Sequence, residues 1–312
     1  MNPSGISRPT DVSSRLVQSL LAGLILAFDG LPAIGFEGES GTSKAPGRAD
    51  VGPVAAEENV RRHGVFENTL GMRFVPVKVG SETVHFSVWE TRVRDYQAYA
   101  NAASGVDGSW KNPVFKGQAI TPVDTCPVVN VSWEDAQKFA AWLTDKERRE
   151  GRIPASARYR LPTDEEWSWA VGIGDREGSG SPKQKDMQLK DVYPWGTQFP
   201  PPARSGNYAD RAMKSAFPDF GAIDGYEDGH ATTAPVGTFP ASASGLHDLG
   251  GNVWEWCEDF YDGQSGARVL RGGSWGLYVR GILLSSGRFN GSADARDGGI
   301  GFRLVLDGVP VR

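Results

Sequence analysis

Two short acidic stretches hold the side chains best suited to chemistry. In "DLGGNVWEW", Asp248 and Glu255 lie on either side of a Gly-Gly turn, whose free carbonyls can complete the shell of oxygens a hard cation takes. "SGNYAD" and "DGYEDG" offer Asn207 and Asp224 in the same way. Spacing alone leaves a second reading open: tight turns with solvated carboxylates. Other chemistry is poorly supplied. His63, His85, His230 and His247 are scattered without ligand spacing, and Cys126 and Cys257 allow one bridge but no disulfide framework. There is no nucleophile elbow, no P-loop and no HExxH, and "GIGDREG" (Gly172 to Gly178) has the wrong spacing for a dinucleotide loop.

The elements that must position these loops are few. "MRFVPVKV" and "TVHFSVWETRV" alternate apolar and polar residues and predict two strands joined by a turn at Gly80 and Ser81; "RDYQAYANAA" then turns helical. "VNVSWEDAQKFAAWLTDKERREG" predicts a helix capped by Ser132, with an apolar stripe of Ala136, Phe139, Ala140 and Leu143 and a stop at Gly151. "RLPTDEEWSWAVG" predicts another, with Thr163 as N-cap and Glu166 as its capping-box partner. Beyond Gly172 only short strands and long loops are expected. Such loops need metal, aromatic packing or very specific contacts to hold them.

Composition agrees. Forty Gly, twenty Pro and ten Trp suit a fold of turns and packed loops, and a net charge of -5 carries no phosphate-binding footprint, so nucleic acid is not an expected partner. Residues 1–34 contain "RLVQSLLAGLILAF", an apolar run behind Arg8 and Arg15 that has the length of a signal-peptide core and falls short of a stable membrane span. Residues 35–62 read as a linker, and 63–308 as one folded domain. Export to the cell surface or periplasm is the expectation, with a cytoplasmic placement as the alternative.

Six blocks, in order, then carry a resemblance: "PVVNVSWEDAQKFAAWL", "RLPTDEEWSWAVG", "YPWG", "APVGTFPASASGLHDLGGNVWEWCEDF", "RVLRGGSW" and "GFRLV". Across Gly71 to Leu306 the chain resembles the formylglycine-generating enzyme, or sulfatase-modifying factor, family. The resemblance implies an α+β, C-type lectin-like fold with low regular secondary structure, two main helices, short strands and long ordered loops. It also implies structural calcium at two sets of ligands. These are Asn207, Asp224 and the carbonyls of Tyr208 and Tyr226, and Asp248, Glu255 and the carbonyls of Gly251 and Val253.

Active members of that family oxidise a substrate cysteine with copper held by two cysteine thiolates, because soft sulfur suits Cu(I). The matching positions here are Leu277 and Ile282, so no copper and no such oxidation are expected. The segment from Arg268 to Val305 resembles, more closely, the variable region of proteins diversified by retroelements, in which adenine randomisation turns asparagine codons into codons ending in C. Such codons never encode Lys, Glu, Gln, Met or Trp. Those five types make up 48 of the 312 residues, yet none occurs in 276–299.

The resemblance implies a binding scaffold for a protein or other ligand. Its free positions would be Gly276, Leu277, Tyr278, Val279, Gly281, Ile282, Gly287, Phe289, Asn290, Gly291, Ala295, Asp297, Gly298 and Gly299. Leu277, Tyr278, Ile282 and Phe289 would form an apolar patch. Trp275, Leu283, Leu284, Ile300 and Phe302 would anchor the segment, with Arg271, Arg280, Arg288, Arg296 and Arg303 pairing to acids or carbonyls. An undiversified pseudo-enzyme interaction module and an active oxidase are the alternatives.

Overall fold

The computed structural model describes residues 64–309. The expectations for residues 1–34 and 35–62 lie outside them. Strand β1 (Phe66–Glu67) leads into the hairpin of β2 (Arg73–Val79) and β3 (Glu82–Ser87), which turns at Gly80 and Ser81 as the pattern required. The predicted second strand is cut short at Ser87, and helix α1 (Val93–Ala102) follows. A small hairpin, β4 (Val114–Phe115) and β5 (Gln118–Ala119), comes next, and then the long helix α2 (Trp133–Arg149).

Both predicted caps form. Ser132 Oγ accepts from Asp135 N–H at the start of α2, and the stripe Ala136, Phe139, Ala140 and Leu143 is fully buried. Strand β6 (Arg158–Arg160) precedes α3 (Asp164–Ala170), where Thr163 Oγ1 accepts from Glu166 N–H and Thr163 N–H donates to Glu166. Two short helices that the sequence did not announce then appear, α4 (Pro182–Lys185) and α5 (Arg211–Ala216). Pro182 opens one and Asp210 caps the other through Met213 N–H, signals too local to separate from ordinary turns.

The remaining strands are β7 (Trp254–Phe260), β8 (Arg268–Arg271), β9 (Arg288–Gly291), β10 (Ile300–Gly301) and β11 (Val305–Asp307). One sheet has the order β1-β2-β3-β11-β6 and the other β10-β7-β8-β9. The C-terminal segment therefore serves both sheets: β8, β9 and β10 build the second, and β11 fills the slot between β3 and β6 in the first. The core between them gathers Val77, Phe86, Trp167, Leu249, Val269 and Val305. Helix accounts for only 18%, well below the roughly 30–35% of ordinary globular domains, so loops held by side chains carry much of the architecture.

Candidate functional site

The segment from 268 to 305 is fixed first by charge. Arg271 and Arg288 face each other across the β8–β9 ladder, and both guanidiniums reach the carboxylate of Asp164 at the start of α3, at 2.5 Å and 2.9 Å. Arg288 also forks Glu177 at 2.7 Å through two nitrogens, and Lys185 Nζ lies 3.2 Å from Asp164. Burial alone would raise Asp164, but these cations outweigh it and hold the carboxyl well below its usual range. Such a cluster is favourable only while every member keeps its partners. The expected anchors Trp275, Leu283, Leu284, Ile300 and Phe302 are all buried. Each of the five expected arginines makes an ion pair: Arg280 with Asp191, Arg296 with Asp135 and Arg303 with Glu255, besides the two on Asp164. Asp164, Glu177 and Lys185 were missed by sequence reasoning, because a first-turn acid, a loop acid and the last residue of a one-turn helix carry no mark of a meeting 100 residues away.

Between the arginines, the structure divides the expected free positions. Gly276, Leu277, Tyr278, Val279 and Gly281 are half-buried, and so are Phe289, Asn290, Gly291 and Ala295. Ile282, Gly287, Asp297, Gly298 and Gly299 are buried, which removes them from any surface that could vary freely. Space follows the division except at Gly291, which is half-buried yet closed to a side chain. A Cβ at Gly281 would meet nothing within 4 Å, and at Gly276 only Met213 at 3.9 Å. At Gly287 it would lie 2.7 Å from the Ile282 carbonyl oxygen, at Gly291 2.8 Å from the Trp256 ring, and at Gly298 it would overlap Ile120.

The expected apolar patch is also divided. Leu277 and Tyr278 rest against the cluster of Tyr193, Tyr208, Ile223 and Tyr226, with Trp195 and Phe199 beside them, while Phe289 lies against Trp254 with ring centres 5.8 Å apart. Ile282 is 6% exposed and belongs to the interior.

The acidic loops separate as well. Asn207 is buried; its Nδ2 donates to the Thr232 carbonyl and Asn252 Oδ1, and its Oδ1 has no partner. That orphaned oxygen is what a cation ligand looks like, and Tyr208 and Tyr226 are buried beside it. Asp224, the carboxylate expected to join them, is exposed, so the charged donor of this set is not in place. The buried acids of this loop are Asp210 and Asp228. Asp210 accepts from the backbone N–H of Met213, Asp228 and Gly229, and burial pushes Asp228 up to about 7.

In the other set both oxygens of Glu255 are taken, by a bidentate Arg303 at 2.6 and 2.7 Å and by the Trp167 indole at 3.0 Å. The guanidinium already supplies the positive charge, so this set does not fit calcium as it stands. Asp248, buried and accepting from Gly237 N–H, is pushed up to about 6 by burial, and Glu90, missed in the sequence, is raised well above its ordinary range by burial and by both acids. Among the described residues no group of three or more His, Cys, Asp or Glu is placed to hold a metal. Cys126 and Cys257 are free and buried, and burial pushes both thiols up, away from thiolate chemistry.

The fold has relatives. The solved structure of PvdO from Pseudomonas aeruginosa aligns over 78% of this chain and 97% of that one, with a TM-score of 0.51 at 20% identity, a likeness of fold alone. A formylglycine-generating enzyme of Streptomyces coelicolor is 30% identical over 218 residues, 64% of this chain and 58% of that protein. The inactive C-alpha-formylglycine-generating enzyme 2 of Mus musculus is 38% identical over 170 residues, 53% of this chain and 43% of that protein. The chain thus spans about half the length of these two relatives. The model of the sulfatase-modifying factor enzyme 1-like domain matches residues 57–308, most of the chain, and the protein belongs to that family.

Proposed function

We propose that this chain is a binding member of its family rather than an oxidase, with its ligand surface on the C-terminal segment and that surface diversified between gene copies. One observation carries the reading. The positions matching the family's copper cysteines are Leu277 and Ile282, and both side chains are spent on packing, Ile282 inside and Leu277 against the tyrosine cluster. Neither offers a soft ligand or an electron. The likeness to a relative named inactive supports the same direction.

The surface retained in the proposal is Gly276, Leu277, Tyr278, Val279 and Gly281 with Phe289, Asn290 and Ala295, half-buried residues seated on packed supports. The ligand is a protein or another molecule able to cover a shallow, partly aromatic face. Diversification is tested in the DNA. A near-copy of the codons for 268–305, differing at adenines and accompanied by a reverse transcriptase, is expected beside the gene. Absence of both would overturn that part.

The second reading, oxidation of a protein cysteine, is favoured by the 30% identity to a formylglycine-generating enzyme. Oxygen uptake with a cysteine-containing peptide and copper decides it, and no turnover is expected. Structural calcium is proposed at the Asn207 set alone, where an acceptor oxygen lacks a partner and the exposed Asp224 would have to turn inward to supply the charge. A ligand bound only by the folded state raises stability, so a chelator should lower the melting temperature; an unchanged value counts against the site. Export remains part of the proposal, and fractionation of the native host checks it.

A further inference from the structure

A cleft of about 830 Å³ opens between helix α2 and strand β6. It exists because α2 presents small residues there: Ala140, Ala141 and Thr144 form the floor, where longer side chains would close it. Thr144 Oγ1 accepts from Tyr159 N–H at 2.9 Å, so the edge of β6 is already satisfied and the cleft is not a vacant strand position.

Its two ends differ in charge. At one end the C-terminal turn of α2 meets the start of β6, where Arg148 Nε donates to the Ala157 carbonyl at 3.0 Å. Among the described residues no hydrogen bond holds the terminal nitrogens of Arg148, although Asp145 lines the same end, and the neighbouring Arg158 side chain is 62% exposed with only a distant contact to Asp307, at 3.9 Å. Asp307 is shared with Arg160, which approaches it to 3.4 Å and is itself forked by Glu166, so it does not consume the donors of Arg158. At the other end Gln137 Nε2 donates to one oxygen of Glu258 at 2.8 Å, and Glu258 N–H donates to the Pro162 carbonyl. The Glu258 carboxylate lines this end of the cleft, with the Arg268 guanidinium close enough to feel its charge.

We propose that this cleft binds a short linear zwitterion of peptide type, its carboxylate between Arg148 and Arg158 and its ammonium group at Glu258. Guanidiniums suit a carboxylate because their paired N–H groups match its two oxygens. The small-residue floor takes the apolar stem. From Gln137 to Arg148 the helix rises by about 16 Å, the span of roughly four to five extended residues.

Tetra-alanine is the probe, titrated calorimetrically into the folded protein. Saturable binding is expected, weakened at least tenfold by amidation of the C-terminus and several-fold by N-acetylation. Arg158→Gln should weaken it by a similar factor, with the far-UV spectrum unchanged because the side chain is on the surface. Ala141→Phe, on the exposed face of α2, should abolish it by filling the floor. Equal affinity for the amidated peptide, no effect of Arg158→Gln, or no saturable heat at all would each overturn the proposal. Competition by inorganic phosphate at the peptide's own affinity would do the same, since the site would then read an anion and not a chain.

Discussion

Gly276 and Gly281 differ from Gly287, Gly291 and Gly298 in the space above their Cα atoms. The first pair lies where a side chain meets at most one atom near 4 Å; the others press against the Ile282 carbonyl, the Trp256 ring and Ile120. None of the five needs a positive φ, so space alone separates them. One segment thus holds positions where side-chain identity is open and positions where it is fixed, and composition cannot tell them apart. Gly is free in the first group because nothing is near, and required in the second because everything is.

The largest test breaks the frame. Asp164→Asn leaves Arg271 and Arg288 buried without their shared carboxylate, and a loss of about 3–5 kcal/mol is expected by urea unfolding at neutral pH. The folded pKa is depressed, so this stability is present above the unfolded value of about 3.9 and fades as pH falls below it. The gap between variant and parent should therefore narrow in acid. A constant gap would show that the charge is not what holds the C-terminal segment.

Gly287→Val is next, at about 1–3 kcal/mol through overpacking against backbone that cannot retreat, whereas Gly281→Val should stay within about 0.5 kcal/mol. Equal effects would erase the distinction between the two groups. Asp248 gives a test of opposite sign. Burial raises its folded value above the unfolded one, so stability should decline as pH rises from about 4 to 6, and Asp248→Asn should make that limb of the profile shallower. The open aromatic surface gives a modest effect. Tyr278→Ala should lower the unfolding free energy by no more than about 1–2 kcal/mol, because the ring is only half-buried, while removing a large part of the exposed contact area.

The parts legible in the sequence were those set by local rules. The Ser132 and Thr163 caps, the stripe on α2 and the Gly80–Ser81 turn depend on residues within four positions of each other, and all form as read. Trp275, Phe302, Arg271 and Arg303 were legible through the family's blocks. What the sequence hid is set by distant neighbours. Asp164 meets Arg288 across 124 positions, Glu90 faces Asn252 across 162, and Gly298 is closed by Ile120 on another loop. Leu283, Leu284 and the arginines mark anchors within 276–299, but nothing in the sequence shows that β9 runs through it and pairs with β8, so that half of its positions answer to a ladder and a core.

Arg271 and Arg288 are ladder partners as well as co-ligands of Asp164, so the residues between them leave and return through a single clasped neck. A loop closed this way depends little on its contour: doubling its length costs only about 0.6 kcal/mol in closure entropy. The neck therefore permits variation in length as well as in side chain. Extra residues inserted at Gly281, where nothing stands within 4 Å, would lengthen the loop without loosening its hold on the sheets.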